Sequence, residues 1–273
     1  VKEILLGKKN KTVNTIAQVL LPPLAIAQTV ARMSDKASRG KPVGEKQYKN
    51  LAVGALMDVA GPAILAGRVV RNVAKTAKPT PTFVKMSRNV YEPVEKRAEH
   101  IDGYQIIKQL GDKKTAVYHN PSTKKSVIAH TGWIFGDDAP QVKKLATGKL
   151  DHTDPRVKHS LEIHDFVKKN LGGDITHTGH SLGGTIADIS ASSRNAKVET
   201  YAKAGSPLLS YKSTKASHNR HFVTPFDFIS MSHISHPNTH IVLPNRKGVK
   251  YAREQNNPFE KWIQLNHSLQ NFE

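Results

Sequence analysis

The sequence predicts an α/β protein: a mostly parallel sheet flanked by helices, preceded by a basic helical extension. Three observations carry this reading. Strand-like and helix-like runs alternate from about residue 84 onward, the pattern of a sheet with helices on its faces. One strand-to-helix junction reads Gly179-His180-Ser181-Leu182-Gly183. Charge is also uneven. Residues 1–82 hold 14 Lys+Arg against 4 Asp+Glu, a net of +10, whereas the other 191 residues hold 27 and 18, a net of +9.

The N-terminal region, 1–82, contains two apolar stretches. "TVNTIAQVLLPPLAIAQTVARM" is interrupted by Pro22-Pro23, and proline suits the first helical turn but not the interior. "LAVGALMDVAGPAILAGRVV" has Asp58 as its only ionisable residue between Leu51 and Gly67. That run falls short of the ~20 residues that span a bilayer. Both read as amphipathic or buried helices flanked by Lys/Arg clusters such as Lys8, Lys9 and Lys11. They either pack on the chain's own domain or a partner, or lie on an anionic membrane with the basic flanks on headgroups. The formal charge of +19 and pI of about 10.0 favour anionic partners in general. Nucleic acid is thus a third option, supported by charge alone. The chain opens on Val1 rather than Met, so it is expected to be a processed or excised piece. No secretory signal is visible, and localisation is open beyond peripheral membrane association. "KPTPTF", residues 78–83, reads as the linker, with Pro79 and Pro81 blocking regular structure. The α/β domain is then 83–273.

Within that domain "YEPVEKRAEHI" predicts a helix, and "YQIIKQL", "TAVYHN" and "SVIAHT" predict short strands separated by turns at Gly111-Asp112 and Asn120-Pro121-Ser122. "DPRVKHSLEIHDFVKKNLGG" predicts a helix, with Val157, Leu161, Ile163, Phe166 and Val167 at near-helical spacing and Gly172-Gly173 as the stop. "DITHTG" predicts a strand and "LGGTIADISASSR" a helix. "VETYAKAG", "HFVTPF" and "HIVLPN" are further strand candidates.

The absence of cysteine excludes disulfides, zinc thiolate sites and thiol nucleophiles. A serine hydroxyl becomes a useful nucleophile only when exposed with a base in reach. A sharp strand-to-helix turn exposes it, and small neighbours on both sides permit the turn. Ser181 therefore predicts a nucleophile elbow. The amide of Leu182, opening the following helix, would point at a developing oxyanion, and the helix dipole acts in the same sense.

Such a serine needs an acid and a histidine, in the order Ser, acid, His. Asp188 lies two turns into the helix behind the elbow, and Glu199 sits at the wrong end of a strand. Asp227 follows "HFVTPF", past a strand's C-terminal end, where loops of open α/β sheets gather. Of the later histidines, His267 in "QLNHSLQNF" is the preferred base. His233 and His236 follow Asp227 closely and stay as alternatives, and His240 begins a strand. The predicted division is Ser181 as attacker, His267 as general base then acid, and Asp227 fixing the imidazole tautomer.

These motifs resemble the class 3 lipases, the fungal triacylglycerol-lipase branch of the α/β-hydrolases, over roughly residues 100–273. "THTGHSLGGTIADIS" looks like that family's elbow almost residue for residue. "TAVYHNPSTKKSVIAHTGW", "TYAKAGSPL", "HFVTPFDFIS" and "NHSLQNF" resemble its further segments in the right order. The family usually carries Arg-Gly-Thr or Arg-Gly-Ser in its oxyanion loop, where this chain has Thr131-Gly132-Trp133. The resemblance therefore implies the backbone N–H of Trp133 as a second oxyanion donor without the side-chain hydroxyl. That predicts a slower site, or one that recruits Thr131. "IFGDDAPQVKKLATGKLDHTD" occupies the family's lid position. The implied activity is carboxylic-ester hydrolysis of lipase or phospholipase type on lipid at membranes, through an acyl-serine, with no cofactor or metal. The alternative is a weak or inactive lipase-like scaffold whose basic N-terminal region binds membrane or nucleic acid, as a viral structural component would.

Overall fold

The computed structural model describes residues 77–134, 137–205, 219–224, 227, 229–230, 238–242, 245, 250, 254 and 267–273. Both N-terminal apolar stretches, and the membrane or nucleic-acid contacts expected of them, lie outside the described residues. So do His233, His236 and Phe135.

Among the described residues eight strands form one sheet whose spatial order is the chain order. They are β1 (His100–Ile101), β2 (Tyr104–Ile106), β3 (Thr115–Asn120), β4 (Lys125–His130), β5 (Ile175–His180), β6 (Lys197–Tyr201), β7 (Arg220–Val223) and β8 (Thr239–Ile241). Pairing is antiparallel from β1 to β4 and parallel from β4 to β8. The helices are α1 (Pro81–Asn89), α2 (Ala139–Ala146), α3 (Pro155–Asn170) and α4 (Leu182–Arg194). The chain has the α/β-hydrolase-like architecture that the sequence predicts: a mostly parallel sheet flanked by helices.

The period of two in each strand separates the faces. In β3 and β4, Ala116, Tyr118, Val127 and Ala129 pack with Met86 and Val90 at the end of α1. Their neighbours Val117 and Ile128 pack instead with Ile163 and Val167 of α3 and with Ile175. α3 joins β4 to β5 and α4 joins β5 to β6, so right-handed crossovers running in one direction put both helices on one face. α1 covers the other face, together with a C-terminal 3-10 turn, Leu269–Phe272, through Val84, Tyr201, Phe222, Leu269 and Phe272.

Local chemistry sets the ends of these helices. Asp154 caps α3 by accepting from Arg156 N (3.0 Å), Pro155 opens the helix, and Lys168 and Lys169 close it. Its buried face is Val157, Ser160, Ile163, His164 and Val167, whereas Phe166, expected in the apolar set, is half exposed. The inward stripe thus includes two polar residues that hydropathy alone does not select. His164 meets His177 of β5 (2.9 Å), and Ser160 meets His130 of β4 (3.2 Å). The three imidazoles stack in series, with centroids 5.2 Å and 5.8 Å apart. Burial lowers all three pKa values, His130 to about 3.

Three other expectations are corrected. Residues 81–83 are not linker: Pro81 is the first residue of α1, and Thr80 ahead of it bonds the buried Glu199 through its N–H (2.7 Å) and hydroxyl (3.0 Å). Glu199 also accepts from Tyr201 OH (2.6 Å) and Arg220. "YEPVEKRAEHI" forms a short 3-10 turn, Val94–Lys96, and then β1. It has no apolar stripe to bury, and Pro93 breaks it. Besides Ile101, which joins the core from β1, its one buried residue is Arg97, whose guanidinium donates to the carbonyls of Val90, Glu92, Asp112, Lys113 and Thr115. Finally "YQIIKQL" stops as a strand at Ile106 and turns into a 3-10 segment, Lys108–Leu110.

Candidate active site

Ser181 sits between β5 and α4 with φ 57° and ψ −128°. For a residue with a Cβ this conformation costs roughly 1–3 kcal/mol. The surroundings hold it there. Ser181 N donates to Tyr201 O (3.1 Å), and its carbonyl accepts from Gly184 N (3.0 Å) and Ala204 N (3.0 Å). The flanking glycines have a steric reason. A Cβ on Gly179 would lie 2.5 Å from the Gly183 carbonyl oxygen, and one on Gly183 would overlap the carbonyls of His130 and Thr131. Any side chain at either position would push α4 away from β4 and β5.

His267 spans the gap above this turn. Ser181 Oγ–H donates to His267 Nε2 (2.8 Å), and His267 Nδ1–H donates to Asp227 Oδ2 (2.8 Å). Asp227 is fully buried and His267 nearly so. The carboxylate also accepts from Ile229 N (3.1 Å) and from the Ser230 hydroxyl, which fix its orientation. The structure thus brings Ser181, His267 and Asp227 into one hydrogen-bonded series. Of the rejected acids, Asp188 is buried in an ion pair with Lys203 (2.5 Å), and Glu199 serves α1. His240, in β8, packs on Phe222.

Leu182 is buried as the first residue of α4, where helical amides lack intrahelical acceptors. The Thr131–Trp133 loop lies against the elbow, since a Cβ on Gly132 would be 3.1 Å from Ser181 Cβ. Three groups fix that loop. Arg156 Nη2 donates to Thr131 O (2.9 Å), with the Thr131 hydroxyl 3.4 Å away. Buried Asp138 accepts from Ile134 N (2.8 Å) and pairs with Lys114 (2.6 Å) and Arg156 (3.2 Å). Tyr91 OH accepts from Gly132 N (2.7 Å). The Thr131 side chain is thus buried beside Arg156, and Trp133 is 52% exposed.

The fold class and the serine turn rest on this geometry. No protein-family model matches the chain, and no curated protein matches it. Among solved structures, it is similar to the Lip2 lipase from Yarrowia lipolytica at 12% identity, over 60% of this chain and 79% of that one, with a TM-score of 0.38.

Residues 137–154 form α2 and its flanks. Leu145 and Leu150 pack into a core with Leu182, Ile186 and Ile189, and Asp154 ties α2 to α3 through Lys144 (2.8 Å). Among the described residues no group of three or more His, Cys, Asp or Glu is placed to hold a metal ion, and no helix is long and apolar enough to cross a membrane.

Sequence reasoning missed Tyr91, His180, Asp138 and Arg156. Arg156 and Asp138 carry no local signal, being charged residues in a polar stretch. His180 is the unspecified position of the Gly-x-Ser-x-Gly pattern.

Proposed function

We propose that this chain is a serine carboxylic-ester hydrolase acting through an acyl-serine intermediate. The observation carrying this reading is the placement of His267, 2.8 Å from both Ser181 Oγ and Asp227 Oδ2, above a serine held in a strained strand-to-helix turn. That is the geometry in which a hydroxyl is activated by a base oriented by a third group.

In the first step Ser181 Oγ attacks the ester carbonyl carbon while its proton passes to His267 Nε2. Asp227 accepts from the Nδ1–H throughout, holding the ring's tautomer and stabilising the imidazolium. The backbone N–H groups of Leu182 and Trp133 are the assigned donors to the oxyanion, which forms as the carbonyl π bond breaks. Collapse expels the alcohol, which takes the proton from His267. Water then repeats the sequence on the acyl-serine and releases the carboxylic acid. Without a side-chain hydroxyl at position 133, any third oxyanion donor has to come from elsewhere. One lost donor costs about 2.7–4 kcal/mol in a comparable site.

A lipid substrate is the preferred class. Exposed Trp133 adjoins the elbow, and an indole suits the boundary between apolar and wet surroundings. The formal charge of +19 favours concentration on anionic bilayers. The test is fluorophosphonate labelling of the full chain, followed by hydrolysis assays on short esters and on anionic vesicles. Labelling that disappears in Ser181→Ala, with circular dichroism unchanged, identifies the nucleophile. A folded wild type that neither labels nor hydrolyses any ester overturns the reading. Activity on short esters with none on vesicles removes the lipid class.

A further inference from the structure

We propose that Tyr91 and His180 are positioning residues: a neutral Tyr–His clamp that ties the oxyanion loop, the serine turn and the backbone of the catalytic histidine into one unit. This inference rests on the hydrolase reading for its consequence, though not for its geometry.

Three hydrogen bonds compose the clamp. Gly132 N–H donates to Tyr91 OH (2.7 Å), Tyr91 OH lies 2.8 Å from His180 Nδ1, and His180 Nε2 lies 2.5 Å from the carbonyl oxygen of His267. Their directions are determined by the groups at the two ends. A backbone amide can only donate and a backbone carbonyl can only accept. His180 must therefore carry its proton on Nε2 to meet the carbonyl. Its Nδ1 is then a bare acceptor, and the single phenolic proton of Tyr91 points to it. The opposite tautomer would set a nitrogen lone pair against the carbonyl oxygen at 2.5 Å.

The clamp joins parts of the chain far apart in sequence. Tyr91 lies just past α1, Gly132 is 41 residues later, His180 89 residues later, and His267 a further 87. Each joined segment supplies one part of the site: the Trp133 amide, the Ser181 turn and the general base. The clamp also has to stay uncharged. The His180 and His267 rings are 4.9 Å apart, and His267 becomes an imidazolium during the reaction. A second cation there would raise the barrier. Desolvation, then the neighbouring His267, hold the His180 pKa down to about 3, so the ring is neutral at neutral pH. Tyr91 is 41% exposed as a residue, but desolvation of its hydroxyl between Gly132 and His180 raises the hydroxyl's pKa, so it keeps its proton.

The test uses the full chain with 15N-labelled histidine. In the wild type His180 should show the Nε2–H tautomer from about pH 5 to about pH 8, the range in which free imidazole titrates. Tyr91→Phe should release that tautomer into a mixture and shift the 15N signals of His267. In steady-state assays on a short nitrophenyl ester, Tyr91→Phe should lower kcat by about 10- to 100-fold with KM nearly unchanged, the penalty of a slightly misplaced base. His180→Gln, which keeps a donor for the His267 carbonyl, should retain more activity than His180→Leu. Effects of Tyr91→Phe and His180→Leu should fall short of additive, because both break one series. An Nδ1–H tautomer in the wild type, or a Tyr91→Phe enzyme with unchanged kcat and labelling rate, overturns the clamp. A wild type inert to fluorophosphonate and to every ester sinks the hydrolase reading instead, and the His180 tautomer still decides whether the clamp exists.

Discussion

Moderate acid should weaken this fold by an amount the structure sets. His130 is fully buried and His180 partly so, and each has its pKa lowered from 6.5 to about 3, first by desolvation. Arg156 and His159 act further on His130, and His267 on His180. The folded value lies below the unfolded one, so protons bind preferentially to the unfolded chain. Stability from these groups is present above pH 6.5 and is lost as pH falls towards 3. At pH 5 the unfolded imidazole is 1.5 units below its pKa of 6.5 while the folded one is still neutral. Each group therefore costs about 2 kcal/mol at roughly 1.4 kcal/mol per unit. The two together cost about 4 kcal/mol, and His164 and His177 add to the loss in the same direction. With a urea m-value of about 2 kcal/mol/M, the midpoint should drop by about 2 M between pH 7 and pH 5. Urea titration followed by circular dichroism at the two pH values measures this. His130→Gln should shrink the difference by about 2 kcal/mol, since an amide has nothing to protonate. Midpoints equal at pH 7 and pH 5, or a rise at pH 5, would refute the reasoning.

Asp227→Asn should keep the fold, because the amide oxygen can still accept from Ile229 N, but lower kcat by about 10⁴-fold by favouring the wrong tautomer of His267. Steady-state rates on a short ester check it. Gly183→Ala should both destabilise the domain and slow catalysis. The added methyl meets the carbonyls of His130 and Thr131, an overpacking cost of about 1–3 kcal/mol, offset by about 1 kcal/mol of helix propensity. A lowered thermal midpoint with reduced fluorophosphonate labelling is the expected pair of results.

The parts legible in the sequence were those written locally. The strands β3 to β6 and the helices α3 and α4 follow from periodicity and from Gly, Pro and Asp punctuation. α1 was missed because Thr80-Pro81 was read as a breaker. The same pair is also a helix start, and Phe83, Val84, Met86 and Val90 behind it have the spacing of a buried face. Its neighbour 91–101 was misread in the opposite sense: helix-forming residues without an apolar stripe gave a helix no face to bury. On α3, Ser160 and His164 were passed over for Phe166, because a polar residue faces inward only where a partner awaits it.

By itself the sequence determined the alternation of elements and the glycine-flanked turn at Ser181, and it narrowed the acid and histidine that could serve that turn to a few later residues, with Asp227 and His267 preferred. A turn that excludes side chains leaves its mark in consecutive residues, and chain order leaves few candidates after it. Only the tertiary structure decided that Tyr91 locks His180 onto His267, that Arg156 and Asp138 set the loop before α2, and that His130, His177 and His164 stack in the interior. Those contacts join groups separated by up to 89 residues. A hydrogen bond across the fold depends on where two backbones meet, which no local pattern of residues encodes.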